Sequence, residues 1–422
     1  MRVLMFGWEF PPLNSGGLGT ACYGITKALS KQSIQITFVL PSAQENISTD
    51  YMKLIIAKDK KANDFSFDGF SIRHINSLLT PYQNQETYNN ILEQKKTILS
   101  ILGQQNILYG QNIFSEILRY ASAATTIAQE EDFDVIHCHD WMTFPAGVAA
   151  AQAAKKKGLK TPLVAHIHAT EFDRTGGNPN NLIYQIEKFG MQKADKIITV
   201  SNYTKNIVAE KYNIPREKIS VVYNAVEKDI SPTREKFKLK EYYNLVLFLG
   251  RITIQKGPDW FIKTANEVSK RDDSIRFLMV GNGDMYNRIV EQAASLGIAD
   301  KIFFCDFLRG YDVDRAYQLA DLYIMPSISE PFGITPLESI KNGTPVLISK
   351  QSGVSEILQN ALVCDFWDTN KMADQIVSTL KDKEALQNLK ARSMSELQNI
   401  SWDNSASNLI SIYNELIKGG GN

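Results

Sequence analysis

The sequence predicts an α/β protein built from two doubly wound domains that face each other across a cleft. Three observations carry that expectation. Apolar runs of strand length recur along the chain, separated by helical patterns. The runs are apolar on consecutive positions, as expected of parallel strands covered on both faces. The series halts at a polar stretch, EKDISPTREKFKLKEYYN, and restarts near Leu245.

The first half supplies VLMF, QITFVL, DVIHC, PLVAHIHA, KIITV and ISVVY; the second supplies LVLFL, RFLMV, IFF, LYIMP, PVLIS and ALVC. Each half opens with a strand that ends at a glycine, Gly7 or Gly250, followed by a loop rich in special residues. The boundary is expected between about Asn224 and Asn244, giving domains over 1–225 and 226–400. The segment from about 82 to 131 breaks the strand rhythm and reads as two helices inserted in the first domain (ILEQKKTILSILGQQ and IFSEILRYASAATTIAQ). Residues 401–422 begin with a short break at Ser401 and continue as an amphipathic helix, SWDNSASNLISIYNELI.

At 422 residues, 44% hydrophobic and 22% charged, the chain is long enough for two full cores. Lys+Arg and Asp+Glu both number 46, so no general affinity for nucleic acid or anionic membrane is expected. No apolar run approaches the roughly 18 residues of a membrane helix, and membrane insertion is not expected. The start, MRVLMFGWEFPP, reads as a first buried strand rather than a signal peptide, because Trp-Glu-Phe-Pro-Pro stands where small residues should precede cleavage. Cys22, Cys138, Cys305 and Cys364 show no CxxC spacing, which argues against disulfides or a zinc knuckle and for the cytoplasm.

In parallel α/β sheets ligands sit beyond the carboxyl ends of the strands, so the loops at those ends are the places to search. In LNSGGLGTACYGITKAL, Gly16, Gly17 and Gly19 separate the first strand from a helix starting near Leu18. Glycines there admit close backbone approach, and a helix N-terminus offers N–H groups to an anion; a tight turn alone explains them equally well. The counterpart, GRITIQKGP, places Arg251 and Lys256 after the strand LVLFL. A forked and a mobile cation suit a diphosphate, with solvated surface charge as the alternative. After LYIMP comes SEPFGITPLES, with Glu330, Gly333, Ile334, Thr335 and Glu338. Its T-P-L-E string reads as a capping box with proline at the first helical position, which would explain Glu338 without a ligand but not Glu330.

Four of the five histidines form two pairs, His137/His139 and His166/His168. Residues two apart on a strand share a face, so a metal with Asp140 as carboxylate ligand is conceivable. The preferred alternative puts one histidine of each pair in the core and the other at the cleft. No metal and no resident cofactor is expected.

EFPPLNSGGLG, HCHDW, HIHAT, GRITIQKG and SEPFGITPLES occur in this order. Together they resemble the retaining glycosyltransferases of the GT-B fold over nearly the whole chain. The E-x7-E of Glu330 and Glu338 resembles family 4, and GGLG with HCHDW resembles the glycogen and starch synthases of family 5. That resemblance implies two Rossmann-like domains and glucosyl transfer from a nucleotide diphosphate glucose, with retention, onto an α-1,4-glucan. It implies that Arg251 and Lys256 hold the diphosphate, assisted by backbone N–H groups near Gly17 and at Gly333, Ile334 and Thr335. Glu338 would take the ribose hydroxyls, Glu330 the transferred sugar or its departing partner, and His168 the sugar. His166 would be the core residue of its pair, Asp140 would stand near sugar or acceptor, and the last helix would cross back onto the first domain. Asn14 and Thr20 depart from the lysine and aspartate of bacterial ADP-glucose enzymes, and HATEFDR leans towards UDP-glucose. The alternatives are a family 4 hexosyl- or mannosyltransferase acting on a lipid-linked or small acceptor, a metal-dependent hydrolase using the histidine pairs, and a non-catalytic sugar-nucleotide sensor.

Overall fold

A computed structural model describes residues 1–11, 16–41, 49–57, 65–67, 70–72, 111–227 and 242–419. In the first half, β1 (Arg2–Phe6), α1 (Gly17–Lys31), β2 (Gln35–Leu40) and β3 (Lys53–Ile56) come first, then a small hairpin of β4 (Phe65–Phe67) and β5 (Phe70–Ile72). Next come α2 (Gln111–Glu130), β6 (Val135–His139), α3 (Phe144–Lys156), β7 (Leu163–Ile167), α4 (Glu171–Arg174) and α5 (Asn181–Lys193). The half closes with β8 (Lys196–Thr199), α6 (Asn202–Lys211) and β9 (Ile219–Val221).

The second half runs β10 (Asn244–Leu249), α7 (Pro258–Arg271), β11 (Ile275–Val280), α8 (Tyr286–Ser295), β12 (Ile302–Cys305), α9 (Tyr311–Leu319), β13 (Leu322–Met325) and α10 (Ile334–Lys341). It ends with β14 (Val346–Ser349), β15 (Leu362–Cys364), α11 (Thr369–Lys381), α12 (Lys383–Leu397) and α13 (Trp402–Gly419).

Two parallel sheets result. The first has the order β3-β2-β1-β6-β7-β8-β9 and the second β12-β11-β10-β13-β14-β15. All twelve apolar runs are strands of these sheets; the central ones are buried on both faces, VIHCH and LYIM throughout, while the edge run IFF leaves Phe303 exposed. In each sheet the order reverses beside the opening strand, between β1 and β6 and between β10 and β13. These are the switch points where neighbouring crossovers leave in opposite directions and open a crevice.

The sequence reading missed β3, a four-residue strand at the edge of the first sheet, and the β4–β5 hairpin. Of the two expected inserted helices, the first lies outside the described residues. The second is α2, and it is not an appendage: Tyr120 on it is fully buried and donates its hydroxyl to Val39 O at 2.7 Å. α2 therefore covers one face of the first sheet with α3. The other face is covered by α1, whose Leu18, Ala21, Cys22, Ile25 and Leu29 repeat at helical spacing. Trp402, Ala406, Leu409, Ile412 and Tyr413 of α13 join that same core, so the last helix closes the first domain. All four cysteines are free.

Candidate active site

Loops from both switch points meet. After β13 the chain reaches Glu330 and turns at Gly333, whose φ of 102° lies in the left-handed region that a side chain would strain. Gly333 is the N-cap of α10, and no side chain caps the helix. The expected capping box is thus overturned: the helix begins at Ile334, which places Thr335 and Pro336 inside its first turn. Thr335 Oγ1 instead accepts the Tyr323 hydroxyl at 2.9 Å. Glu338 accepts the Tyr317 hydroxyl at 3.1 Å, and burial raises its pKa. Its carboxylate is held in place for something other than the helix end.

Lys256 ends a short 3-10 turn, Ile254–Lys256, and its Nζ lies 2.5 Å from Glu330 Oε2. Ser327 Oγ donates to the same oxygen at 3.3 Å. Arg251 donates from Nη2 to the buried Gln255 at 3.4 Å. Two cations, two carboxylates and an uncapped helix N-terminus therefore share one edge of the second sheet, a set suited to a diphosphate with polar hydroxyls on either side.

On the first domain, Gly16 is the N-cap of α1 and Gly17 its first residue. Glu9, only 4% exposed, lies against Gly16, where a Cβ would stand 3.1 Å from its Oε2. Asp140 follows β6 with φ 61°, a strained value for a residue with a side chain. The strain is held by three contacts: Oδ1 accepts the N–H of His168 (2.7 Å) and of Ala169 (3.3 Å), and Oδ2 faces Arg174 at 3.5 Å. Arg174 also pairs with Glu187 at 3.0 Å and donates to Ala169 O at 2.9 Å. Asp140 thus fixes the turn that carries His168.

The histidine pairs divide differently from expectation. His137, His139 and His166 are all fully buried, so both members of the first pair belong to the core, and His168 alone is partly exposed. The rings stack within each pair, at 4.4 and 4.2 Å, and hydrogen-bond between pairs, His137 Nε2 to His166 Nδ1 at 3.2 Å and His139 Nδ1 to His168 Nε2 at 3.0 Å. Tyr413 of α13 bonds His137 Nδ1. His137, His139 and His166 bring ring nitrogens within 4.8 Å of one another, but Asp140, the carboxylate expected to complete a metal set, is committed to the backbone of residues 168 and 169 and to Arg174. Burial drives all four imidazoles towards the neutral form, His168 down to about 3.

The two domains also touch beside Glu330. Ser329 Oγ donates to Asp173 at 2.5 Å and lies 2.9 Å from the Tyr203 hydroxyl. Ser201 Oγ donates to Pro331 O at 2.5 Å. Residues on either side of Glu330 are therefore gripped by the first domain. Glu9, Asp173, Arg174, Tyr317 and Ser329 were not singled out from the sequence. Arg174, like Glu9, Asp173 and Ser329, lies in a quoted motif, but its approach to Asp140 spans 34 residues of chain.

Two facing Rossmann-like domains with cations and carboxylates at the paired switch points define a GT-B glycosyltransferase. The chain belongs to the family described as Glycosyltransferase Family 4, which matches residues 15–230, and the family Glycosyl transferases group 1 matches 229–395. An uncharacterized glycosyltransferase of Methanocaldococcus jannaschii is 28% identical, covering 98% of each chain. The N-acetyl-alpha-D-glucosaminyl L-malate synthase of Bacillus anthracis is 26% identical over 77% of this chain and 83% of its own. A glycogen synthase of Mycobacterium tuberculosis is 24% identical over 92% and 88%. Among solved structures, sucrose-phosphate synthase from Thermosynechococcus elongatus superposes with a TM-score of 0.70 at 15% identity over 99% of both chains. The catalytic domain of starch synthase IV from Arabidopsis thaliana, bound to ADP and acarbose, gives 0.69 at 17% over 99% of both. No helix among the described residues is long and apolar enough to cross a membrane.

Proposed function

We propose that this enzyme is a retaining glycosyltransferase that moves glucose from a nucleotide diphosphate glucose, UDP-glucose or ADP-glucose, onto an α-1,4-glucan. One observation carries the donor side: Arg251, Lys256, Glu330, Glu338 and the uncapped N-terminus of α10 converge at one switch point. The diphosphate would lie over that N-terminus, with N–H groups of Ile334 and Thr335 and the two cations facing the charge that grows as the sugar departs. Glu338, oriented by Tyr317, would hold the ribose hydroxyls. Glu330 and His168 would flank the sugar from opposite domains. Neutral His168 suits a hydroxyl, since it can donate or accept without attracting the diphosphate away from its cations.

Support for a glucan acceptor comes from the motif order and from the similarity to the glycogen synthase. A second reading, a small acceptor, is favoured by the likeness to the N-acetyl-alpha-D-glucosaminyl L-malate synthase and to a D-inositol 3-phosphate glycosyltransferase. The test is nucleotide release from UDP-glucose, ADP-glucose and GDP-mannose, with glycogen, with a small polyol or malate, and with water alone. Glycogen-dependent release supports the glucan reading. Release stimulated by the small acceptors and not by glycogen replaces it with the second, and a failure to bind or cleave any donor refutes both.

A further inference from the structure

Resting on the transferase reading, we infer that Asp173 is a positioning residue: through Ser329 it fixes Glu330 of the second domain against the turn that carries His168. Asp173 is fully buried, and its two oxygens serve different domains. Oδ2 accepts the N–H and the hydroxyl of Thr170, each at 2.7 Å, while Oδ1 accepts the Ser329 hydroxyl at 2.5 Å. A serine has one O–H to give. With that proton on Asp173, the Ser329 oxygen is left to accept the Tyr203 hydroxyl at 2.9 Å. Tyr203, Ser329 and Asp173 thus form one directed chain, in which a second-domain serine is held between first-domain groups that follow β8 and β7.

Each end of this chain is tied to a residue of the proposed site. In the second domain the Glu330 N–H donates to Gln351 O at 2.8 Å, and Glu330 O accepts the Gly353 N–H at 2.9 Å. Glu330 therefore moves with the body of its own domain, and a shift of Ser329 against Asp173 is a shift of Glu330 against the first domain. On the other side Thr170, two residues after His168, is the N-cap of α4. Arg174, next to Asp173, donates to Ala169 O at 2.9 Å and faces Asp140, whose Oδ1 accepts the His168 N–H at 2.7 Å. α4 thus holds the His168 turn with one residue and Ser329 with the one before it. Just past α4, Gly176 packs on Ile254 of the turn that ends at Lys256, since a Cβ there would lie 3.5 Å from Ile254 Cδ1. The same short helix therefore abuts both second-domain loops, the one with Lys256 and the one with Glu330. A buried carboxylate oxygen left without its donor is destabilised. Asp173 Oδ1 takes its donor from across the cleft, so the two domains are held best at one register.

Ser329→Ala removes the shared hydroxyl and leaves the cap of α4 intact, whereas Asp173→Ala removes the acceptor. Both variants and their double are compared with wild type for thermal unfolding and for UDP, ADP and GDP affinity. Turnover and KM are measured for UDP-glucose, ADP-glucose and GDP-mannose with glycogen, with malate and with water. We expect Ser329→Ala to fold, to bind nucleotide within about twofold of wild type, and to lose kcat about tenfold at unchanged donor KM, the mark of displaced reacting groups. The double variant should be no slower than Asp173→Ala, because the two side chains act as one contact. Wild-type kcat in Ser329→Ala overturns the inference, as does a double variant in which the two losses multiply. Should Asp173→Ala fail to fold, kcat and KM of Ser329→Ala decide alone. A loss confined to melting temperature leaves the contact as packing between domains and also overturns the inference. A wild type that binds no nucleotide and cleaves no donor refutes the transferase reading itself, and the inference falls with it.

Discussion

The four stacked imidazoles make a strong prediction about acid. His137, His139 and His166 are wholly buried and burial holds each neutral well below the usual histidine value. In the unfolded chain each takes a proton below about pH 6.5. A group whose folded pKa is depressed contributes stability that is present above its unfolded pKa and is lost as pH falls. Each such histidine therefore removes stability at up to about 1.4 kcal/mol per pH unit below 6.5. Glu9 and Glu187 work the other way, because burial raises both to about 7 and the native state takes up their protons between 7 and 4.5. The wild-type curve is thus a difference of opposing slopes, and a single-site comparison isolates one of them. For His166→Gln, the stability difference from wild type should shift in the variant's favour by about 2 kcal/mol between pH 6.5 and 4.5. Urea unfolding at half-unit pH steps measures it. Parallel stability curves for the two proteins would show that His166 protonates inside the fold, and the reasoning about the core would fail.

The proposed donor site yields two further outcomes. Lys256→Ala removes the cation nearest Glu330 and should lower turnover by ~10²–10³-fold, the usual effect of losing one preorganised charge stabiliser, while circular dichroism and melting temperature stay close to wild type. Tyr317→Phe removes the hydroxyl that Glu338 accepts at 3.1 Å; donor KM should rise roughly tenfold, equivalent to about 1.4 kcal/mol, with kcat little changed, and an unaltered KM would show that Glu338 is not a nucleotide ligand.

Much of the architecture could be read from the chain because parallel strands are apolar on both faces and leave runs that little else produces. LVLFL and LYIMP needed no partner to be recognised. KLII at the sheet edge was missed because its burial is only partial and its run is short. The residues proposed to hold the donor were brought together for a related reason: Arg251, Lys256, Glu330 and Glu338 all follow strands, and loops after parallel strands face the crevice. What escaped was whatever depends on register and on residues brought from afar. Thr335 looked like a cap because T-P-L-E matches a capping box, whereas the left-handed turn at Gly333, two residues earlier, already starts the helix. Asp140 looked like a ligand because its true partners, the amides of His168 and Ala169 and the guanidinium of Arg174, depend on how β6 aligns with β7, where His139 faces His166. Glu9 was passed over within EFPPLNSGGLG, and its burial against Gly16 is what sets it apart.

The return of α13 to α1 has a bearing on how the protein is made. During synthesis the strands of the first domain leave the ribosome early, yet one face of their sheet lacks Trp402, Leu409 and Tyr413 until α13 has been translated. The second domain, continuous from β10 to α12, has its strands and covering helices together sooner and can consolidate while the earlier half still waits with exposed apolar surface. Emergence of α13, and not of the first domain's own strands, is then the event that seals that face. A chain stopped at Ser401 would keep every residue assigned to chemistry and still lack a finished enzyme.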